Sequence, residues 1–248
     1  MDRTDWASLE TPSGPGTGEA LPTALAGMLD PDPVVRSAAT DDVLRMVTHQ
    51  NTIYEATVPV ALYVAAILHH PAIAADALGH DADMPPHHPT LVKLLGWLST
   101  TAYDADDECV AHGERHGGES LLGEYEEMRA FRDLRPALFS AVHPLLGHDN
   151  AEVRDAAFVA AIPLAEHPVL ASHRAELVGH ARRLLPTSTD RYNRDRVLDA
   201  MKAWGHDTSD LENADDIAAR ERYARLKAER DSWWTTDGTG GYSEDPPF

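Results

Sequence analysis

Histidine and carboxylate side chains are the groups in this 248-residue chain that could hold a metal ion. Fourteen histidines are present, and His112 and His116 stand four residues apart with Glu114 between them. Imidazole and carboxylate are common zinc ligands. However, the chain has no HExxH pattern, and three glycines in or just after this stretch argue against a helix that would place both histidines on one face. We therefore predict no metal and no cofactor, with a pocket gathering His112, His116 and His143 as the alternative.

Nucleophilic catalysis has little support in the sequence. Cys109 is the single cysteine, so an internal disulfide is excluded. It directly follows Asp106-Asp107-Glu108, and neighbouring negative charges disfavour the reactive thiolate. The chain also has no Gly-x-Ser-x-Gly elbow, no phosphate-binding loop and no dinucleotide-binding glycine pattern. We predict that the protein is not an enzyme.

The charge balance of the chain excludes two classes of partner. Acidic residues number 41 and basic residues 21, giving a net charge of −20. Residues 1–120 carry most of this excess, with 18 acidic and 5 basic side chains. Nucleic acids and anionic membranes both require a cationic protein surface. The expected partner is therefore another protein.

The densest acidic run covers residues 103–127, which contain nine acidic side chains and one basic side chain, Arg115. Its glycines favour an exposed loop that interrupts the helical pattern on either side. A surface of this kind would complement a cationic protein. The candidate partner-binding residues in it are Asp104, Asp106, Asp107, Glu108, Glu114 and Glu119.

The elements that must position these residues are predicted to be helices. Residues 1–20 are rich in Gly, Pro and Thr and favour an irregular lead-in, after which apolar residues recur at helical spacing. Helices are predicted near 55–69, 90–101, 134–146, 169–185 and 190–204. A charged helix over 206–232 follows them. Trp233-Trp234 directly follow this helix, at the start of a flexible tail over 233–248.

Two further helices have predicted start signals. Asp32-Pro33 is typical of a helix start, and Asp149 with Glu152 three residues later is typical of a capping box.

No apolar run is long enough to span a membrane, and MDRTDWASLE does not have the pattern of a signal peptide. We expect a cytoplasmic, all-α protein.

A sequence repeat connects these helices. Val35-Arg36-x-Ala38-Ala39 and Val153-Arg154-x-Ala156-Ala157 each follow an acidic turn, and the two arginines are 118 residues apart. That separation corresponds to three units of roughly 40 residues, the length of a helix-turn-helix repeat. Because one helix pair cannot bury its own apolar face, such units stack on one another.

At these residues the chain resembles the HEAT-repeat, or armadillo-like, family. The resemblance implies a right-handed α-α superhelix of about four helix pairs over 21–205, with the acidic loop inserted and the helix over 206–232 as its cap. It also implies a ladder between successive repeats, formed by Asp30, Asp32, Arg36, Asp149 and Arg154.

The superhelix expectation leads to a functional one. Stacked helix pairs present a long curved surface, which favours a non-enzymatic protein–protein interaction module. Residues 49–57, HQNTIYEAT, also resemble an element of bacterial HEAT-like proteins, some of which are similar to immunity proteins of polymorphic toxin systems. The interpretation that we favour for the same residues is a polar turn, capped by Thr52 and packed by Tyr54. Two alternatives stay open: an immunity-type inhibitor of a cationic toxin domain, and a HEAT-like enzyme or metal- or ligand-binding protein.

Overall fold

The computed structural model describes residues 4–74, 77–78, 88–117 and 120–236, and these are almost entirely helical. The all-α class is therefore confirmed. The chain forms two compact units, Met1–Leu184 and Leu185–Phe248, called here the first and second unit. No helix within the described ranges combines the length and the apolar character needed to cross a membrane.

The first unit is built from eleven α-helices and one pair of very short strands within its described residues. Two 3₁₀ segments flank α10, at His143–Gly147 and Pro168–His173. The elements are α1 Leu21–Gly27, α2 Pro33–Met46, α3 Thr57–Ile67, α4 Pro71–Ala74, β1 Ala77–Leu78 paired antiparallel with β2 His88–Pro89, α5 Thr90–Tyr103, α6 Asp107–Gly117, α7 Leu121–Glu124, α8 Glu126–Asp133, α9 Arg135–Val142, α10 Ala151–Leu164 and α11 Arg174–Leu184.

The core of this unit lies between α5 and α10, which pack against each other along their lengths. Leu91, Leu94 and Leu98 of α5 are buried there. All eight residues from Ala157 to Leu164 are also buried, because α5, α9 and α11 surround that part of α10. A helix that is apolar on every side requires neighbours on every side.

The described part of the N-terminal lead-in contains two short 3₁₀ segments, Trp6–Ser8 and Gly18–Ala20, and is packed against the start of α3. The Glu10 backbone N–H donates to the Glu55 carboxylate at 2.8 Å, and the Glu10 carbonyl accepts from the Ala56 N–H at 3.1 Å. Trp6 is buried, and its carbonyl oxygen would lie 2.4 Å from a Cβ at position 18. Only glycine allows that close approach at Gly18.

Residues 49–57 form a tight turn between α2 and α3. Gln50 and Asn51 both adopt positive φ, and His49 pairs with Thr52. The Thr57 hydroxyl accepts the Tyr54 N–H at 3.0 Å and donates to the Val47 carbonyl at 3.1 Å. Thr57 therefore closes this turn, the role that the sequence analysis gave to Thr52.

The prediction of a loop over 103–127 is wrong, because α6, α7 and the first two residues of α8 lie in this segment. The Asp106 carboxylate accepts the Cys109 N–H at 2.6 Å, and Val110 is buried. A Cβ at Gly113 would lie 2.6 Å from the Leu121 side chain, so glycine permits close packing of α6 against α7. Tertiary packing thus outweighs the helix penalty of glycine, which is about 1 kcal/mol per residue.

Arg36 and Arg154 occupy equivalent positions, each as the fourth residue of its helix. The Arg36 guanidinium donates to the carbonyls of Asp30 and Pro31 at 2.6 and 3.0 Å. The Arg154 guanidinium donates to the carbonyls of His148 and Asp149 at 2.6 and 2.7 Å. Both arginines thus close the turn in front of their own helix through backbone carbonyls. The ladder from repeat to repeat stays a prediction.

The caps of these two helices lie at equivalent positions, each four residues before the arginine. Asp32 is the N-cap of α2, as predicted, and its carboxylate accepts the Val34 N–H at 2.8 Å. The Asp30 carboxylate accepts the Asp32 N–H, also at 2.8 Å. On α10 the capping side chain is Asn150. The predicted capping role of Asp149 is therefore wrong, although its carbonyl oxygen holds Arg154.

The second unit contains a third copy of this arginine turn. Its described helices are α12 Arg191–Ala203 and α13 Ala214–Thr236. Arg194, the fourth residue of α12, donates to the carbonyls of Ser188 at 3.3 Å and of Leu185. It follows Arg154 by 40 residues, the repeat length inferred from the sequence. Helix α13 continues beyond the predicted end at 232, and residues 237–248 lie outside the described residues.

Candidate functional site

The predicted partner-binding residues lie at the end of α5 and along α6. Asp104 directly follows α5, and Asp106 directly precedes α6; both are half-buried. Glu119 lies outside the described residues. The exposed members of the set are Asp107, Glu108 and Glu114.

Two of these carboxylates are bound by the protein itself. Asp106 caps α6 through its bond to the Cys109 N–H, and burial raises the pKa of its carboxyl. Asp107 accepts a 2.5 Å hydrogen bond from the Arg132 guanidinium. The structure therefore gives Asp106 and Asp107 roles within the fold, whether or not a partner also contacts them.

Exposed glutamates on α6, α7 and α8 form what we call the acidic surface: Glu108, Glu114, Glu124 and Glu126. Helix α7 contacts both α6 and α8, so the three helices form one continuous element. Within the described part of the chain, Glu126 lies 3.4 Å from Arg129, whereas Glu108, Glu114 and Glu124 form no ion pair. Tyr125, between Glu124 and Glu126, is also exposed. Three of the four glutamates of the acidic surface are thus exposed and unpaired among the described residues.

A charge cluster around the buried Arg135, made of Asp107, Arg132, Arg135 and Glu166, holds α6 in place. Arg135 is only 2% exposed, and its guanidinium lies 3.1 Å from the Glu166 carboxylate and 3.5 Å from that of Asp107. Arg132 and Arg135 both donate to the Ala105 carbonyl, at 2.5 and 2.7 Å. The two arginines therefore fix the turn between α5 and α6.

Glu166 connects this cluster to the end of α10. Its carboxylate accepts the Asp107 N–H at 3.0 Å, and its carbonyl accepts from Arg174 at 3.1 Å. Burial raises the pKa of Glu166 to about 7, because the loss of solvation outweighs the attraction of Arg135. Desolvation and the nearby Arg132 lower the pKa of Arg135. Among the described residues, the buried Arg135 Nε has no hydrogen-bond partner.

The raised pKa of Glu166 makes stability depend on pH. The folded state binds the Glu166 proton more tightly than the unfolded chain does. The proton therefore makes its full contribution to the unfolding free energy below the ordinary glutamate pKa, and this contribution is lost as pH rises through about 7. We expect the unfolding free energy of wild type, relative to Glu166→Gln, to fall by up to about 3 kcal/mol between about pH 4.5 and 8. Urea titrations at several pH values measure this difference, and a constant difference over that range would contradict it.

Two histidines and a glutamate meet at a second place in the first unit, and we call them the histidine cluster: His143, His173 and Glu176. His143 follows α9, His173 ends the 3₁₀ segment before α11, and Glu176 lies in the first turn of α11. The His143 Nε2 and the Glu176 Oε2 are 2.9 Å apart, and the His173 Nδ1 lies 3.8 Å from the same oxygen. One ligand atom from each residue lies within 4.8 Å of the others.

Phe139 and nearby charges shape this cluster. The Phe139 ring centroid lies 5.3 Å from that of His143 and 4.8 Å from that of His173. The hydrogen bond from His143 lowers the pKa of Glu176, which favours the carboxylate form. His180, one turn further along α11, has its pKa lowered by burial and by Arg183. The arrangement can bind a cation through two imidazoles and one carboxylate.

The three histidines that the sequence analysis grouped, His112, His116 and His143, lie on two different elements of the structure. The helix judged unlikely across 112–116 is present as part of α6, so His112 and His116 do lie on one helix. His112 is exposed, and the His116 side chain lies outside the described residues. His143 meets His173 and Glu176 instead. The His173-x-x-Glu176 spacing at a helix start was a usable signal for part of this cluster, but nothing local connects it to His143, thirty residues earlier.

Comparisons with known proteins give no match, whether with protein-family models, with curated proteins or with solved structures.

Proposed function

We propose that this protein is a non-enzymatic interaction module of the cytoplasm, which binds a cationic protein through the acidic surface. The observation that carries the proposal is the charge of Glu108, Glu114 and Glu124, which form no ion pair among the described residues. The helix that carries the first two is held in place by Arg132 and the buried Arg135. A fixed array of like charges steers an oppositely charged partner and selects it over others. The exposed Tyr125 adds the kind of aromatic contact that is enriched at protein interfaces.

The proposed architecture behind this function is a HEAT-like solenoid with a C-terminal cap. Its support is the arginine turn found at Arg36, Arg154 and Arg194, where the guanidinium bonds the carbonyl six residues earlier each time. A local structure recurring at the same helix position supports a repeat origin of these helices. Repeat units of this kind expose extended binding surfaces.

The identity of the partner decides between a general module and an immunity-type inhibitor. An inhibitor of a cationic toxin domain, such as a nuclease, would use the same acidic surface. A metal-binding role has separate support in the histidine cluster.

The test is a comparative capture with wild-type protein and the triple variant Glu108→Lys, Glu114→Lys, Glu124→Lys. These residues are exposed and lack ion pairs among the described residues, so the variant should fold normally, which circular dichroism checks. From a lysate of the source organism, wild-type protein should retain a basic protein that mass spectrometry identifies, and the triple variant should lose it. A toxin domain as that protein would select the inhibitor role.

The matched control reverses three exposed acidic residues that do not belong to α6–α8, Asp5, Glu19 and Asp210, and changes the net charge by the same amount. This control should retain the basic protein as wild type does. Equal retention by all three proteins, or equal loss from both variants, would contradict binding at the acidic surface.

A further inference from the structure

We infer that His143, His173 and Glu176 form a binding site for zinc or a similar divalent transition-metal ion. The three residues come from two segments 30 residues apart in the sequence, and the fold brings their ligand atoms within 4.8 Å of one another. This site is separate from the proposed protein-binding function, because none of its residues belongs to the acidic surface.

The donor set selects the class of metal. Two imidazole nitrogens and one carboxylate oxygen suit zinc, cobalt and nickel, whereas magnesium and calcium prefer oxygen ligands alone. Two imidazoles with one glutamate, plus a water, is also an established set for a four-coordinate zinc ion. The chemistry of these residues therefore points to zinc and away from magnesium.

The spacing of the ligand atoms is close to what a tetrahedral ion requires. Zinc bonds of about 2.0–2.1 Å place neighbouring ligand atoms about 3.4 Å apart. The Glu176 oxygen lies 2.9 Å from the His143 Nε2 and 3.8 Å from the His173 Nδ1, on either side of that value. Small side-chain rotations would bring all three atoms to bonding distance.

The surroundings prepare the three groups for a cation. Phe139 packs beside both imidazole rings and limits their rotation. The His143 Nε2 and the Glu176 Oε2 already lie 2.9 Å apart, so two of the three ligand atoms are close together without an ion. His143, His173 and Glu176 are 36%, 38% and 46% exposed, so an ion can reach them from solvent. Three protein ligands leave the fourth position for a water molecule.

Isothermal titration of the untagged, metal-free, full-length chain tests the site, with zinc chloride and magnesium chloride as the probes. Zinc should bind with one tight site per chain, and magnesium should give no binding. The variants His143→Ala and His173→Ala each lose one metal ligand. Zinc binding should weaken by about 100-fold or more in each, because even the loss of a residue that only supports a ligand weakens metal binding by about 10- to 100-fold. Cobalt in place of zinc should give visible absorption bands with wild type and not with these variants.

Controls separate the site from the other histidines and from misfolding. His206 is exposed and outside the cluster, so His206→Ala should bind zinc as wild type does. Glu176→Gln keeps the side-chain shape and should still lose most of the affinity. Zinc at about 100 times its Kd should raise the melting temperature of wild type by about 5 °C or more, but not that of His143→Ala. Unchanged zinc affinity in the cluster variants, or no tight site in wild type, would show only a histidine–carboxylate hydrogen bond and overturn the inference.

Discussion

Replacement of Arg135 by methionine is expected to lower the unfolding free energy by about 3–5 kcal/mol, because it breaks a buried ion pair from one side. The guanidinium is almost completely buried and contacts two carboxylates and a backbone carbonyl. Without it, Glu166 would lose its nearest cation, and the Ala105 carbonyl would lose one of its two arginine donors. Methionine fills much of the same volume, so the loss should come from electrostatics and hydrogen bonding rather than from a cavity.

Urea denaturation followed by circular dichroism measures this effect. Arg182→Met is the matched control, because Arg182 is an exposed arginine of the same unit, and its replacement should change the unfolding free energy by less than about 0.5 kcal/mol. Adding Glu166→Gln to Arg135→Met should recover part of the loss, since the unpaired carboxyl is then removed. A loss of less than about 1 kcal/mol in the unfolding free energy of Arg135→Met would show that the charge cluster around Arg135 does not stabilise the fold.

Replacement of Arg194 by methionine should destabilise the second unit by a similar amount, about 3–5 kcal/mol. The Arg194 and Asp216 side chains are each only 4% exposed and form a two-point contact, with Nε–Oδ1 at 3.0 Å and Nη2–Oδ2 at 2.5 Å. Asp216 also accepts the Asn213 N–H at 2.8 Å at the start of α13, so its contact with Arg194 joins that start to α12. Methionine would leave Asp216 buried without its cation.

The pH dependence of stability tests whether loss of the Arg194–Asp216 ion pair causes this destabilisation. The Arg194 hydrogen bond lowers the pKa of Asp216, so the pair contributes its full stability above the ordinary aspartate pKa and loses it as pH falls further. The advantage of wild type over Asp216→Asn should therefore shrink below about pH 4. Arg191→Met, at an exposed arginine of the same helix, is the control and should cost little. A melting temperature of Arg194→Met equal to that of wild type would contradict this account.

The sequence was sufficient for features that depend on neighbouring residues. Asp32-Pro33 marked the start of α2. Caps and proline positions act within a few residues, so their signals are complete in a short stretch of sequence. The matching arginines at 36 and 154 were detected for the same reason, since each bonds a turn directly before it.

Features that depend on tertiary contacts could not be predicted in this way. The helix α6 was missed because its glycines were weighed by intrinsic propensity, whereas Gly113 is a packing position against Leu121. Arg194 was missed because the residues beside it differ from the Val-Arg-x-x-Ala pattern, although it also bonds the carbonyl six residues earlier, that of Ser188. Arg135 carries no local sign that it is buried between two carboxylates.

The candidate sites show the same division. The acidic surface was predicted as a charged segment, because charge density is a property of a short run of residues. That Asp106 and Asp107 serve the fold while Glu108 and Glu114 remain exposed depends on where α6 packs. The histidine cluster depends on the approach of α11 to the end of α9, which no local pattern encodes.

The central claim is that the acidic surface binds a cationic protein, and association kinetics test it most directly. With the captured protein in solution, the association rate constant of wild type should fall about tenfold or more between about 20 mM and 500 mM salt. The triple variant at Glu108, Glu114 and Glu124 should associate slowly at both salt concentrations, because the steering charges are reversed. Equal rate constants for wild type and the triple variant at low salt would contradict the claim.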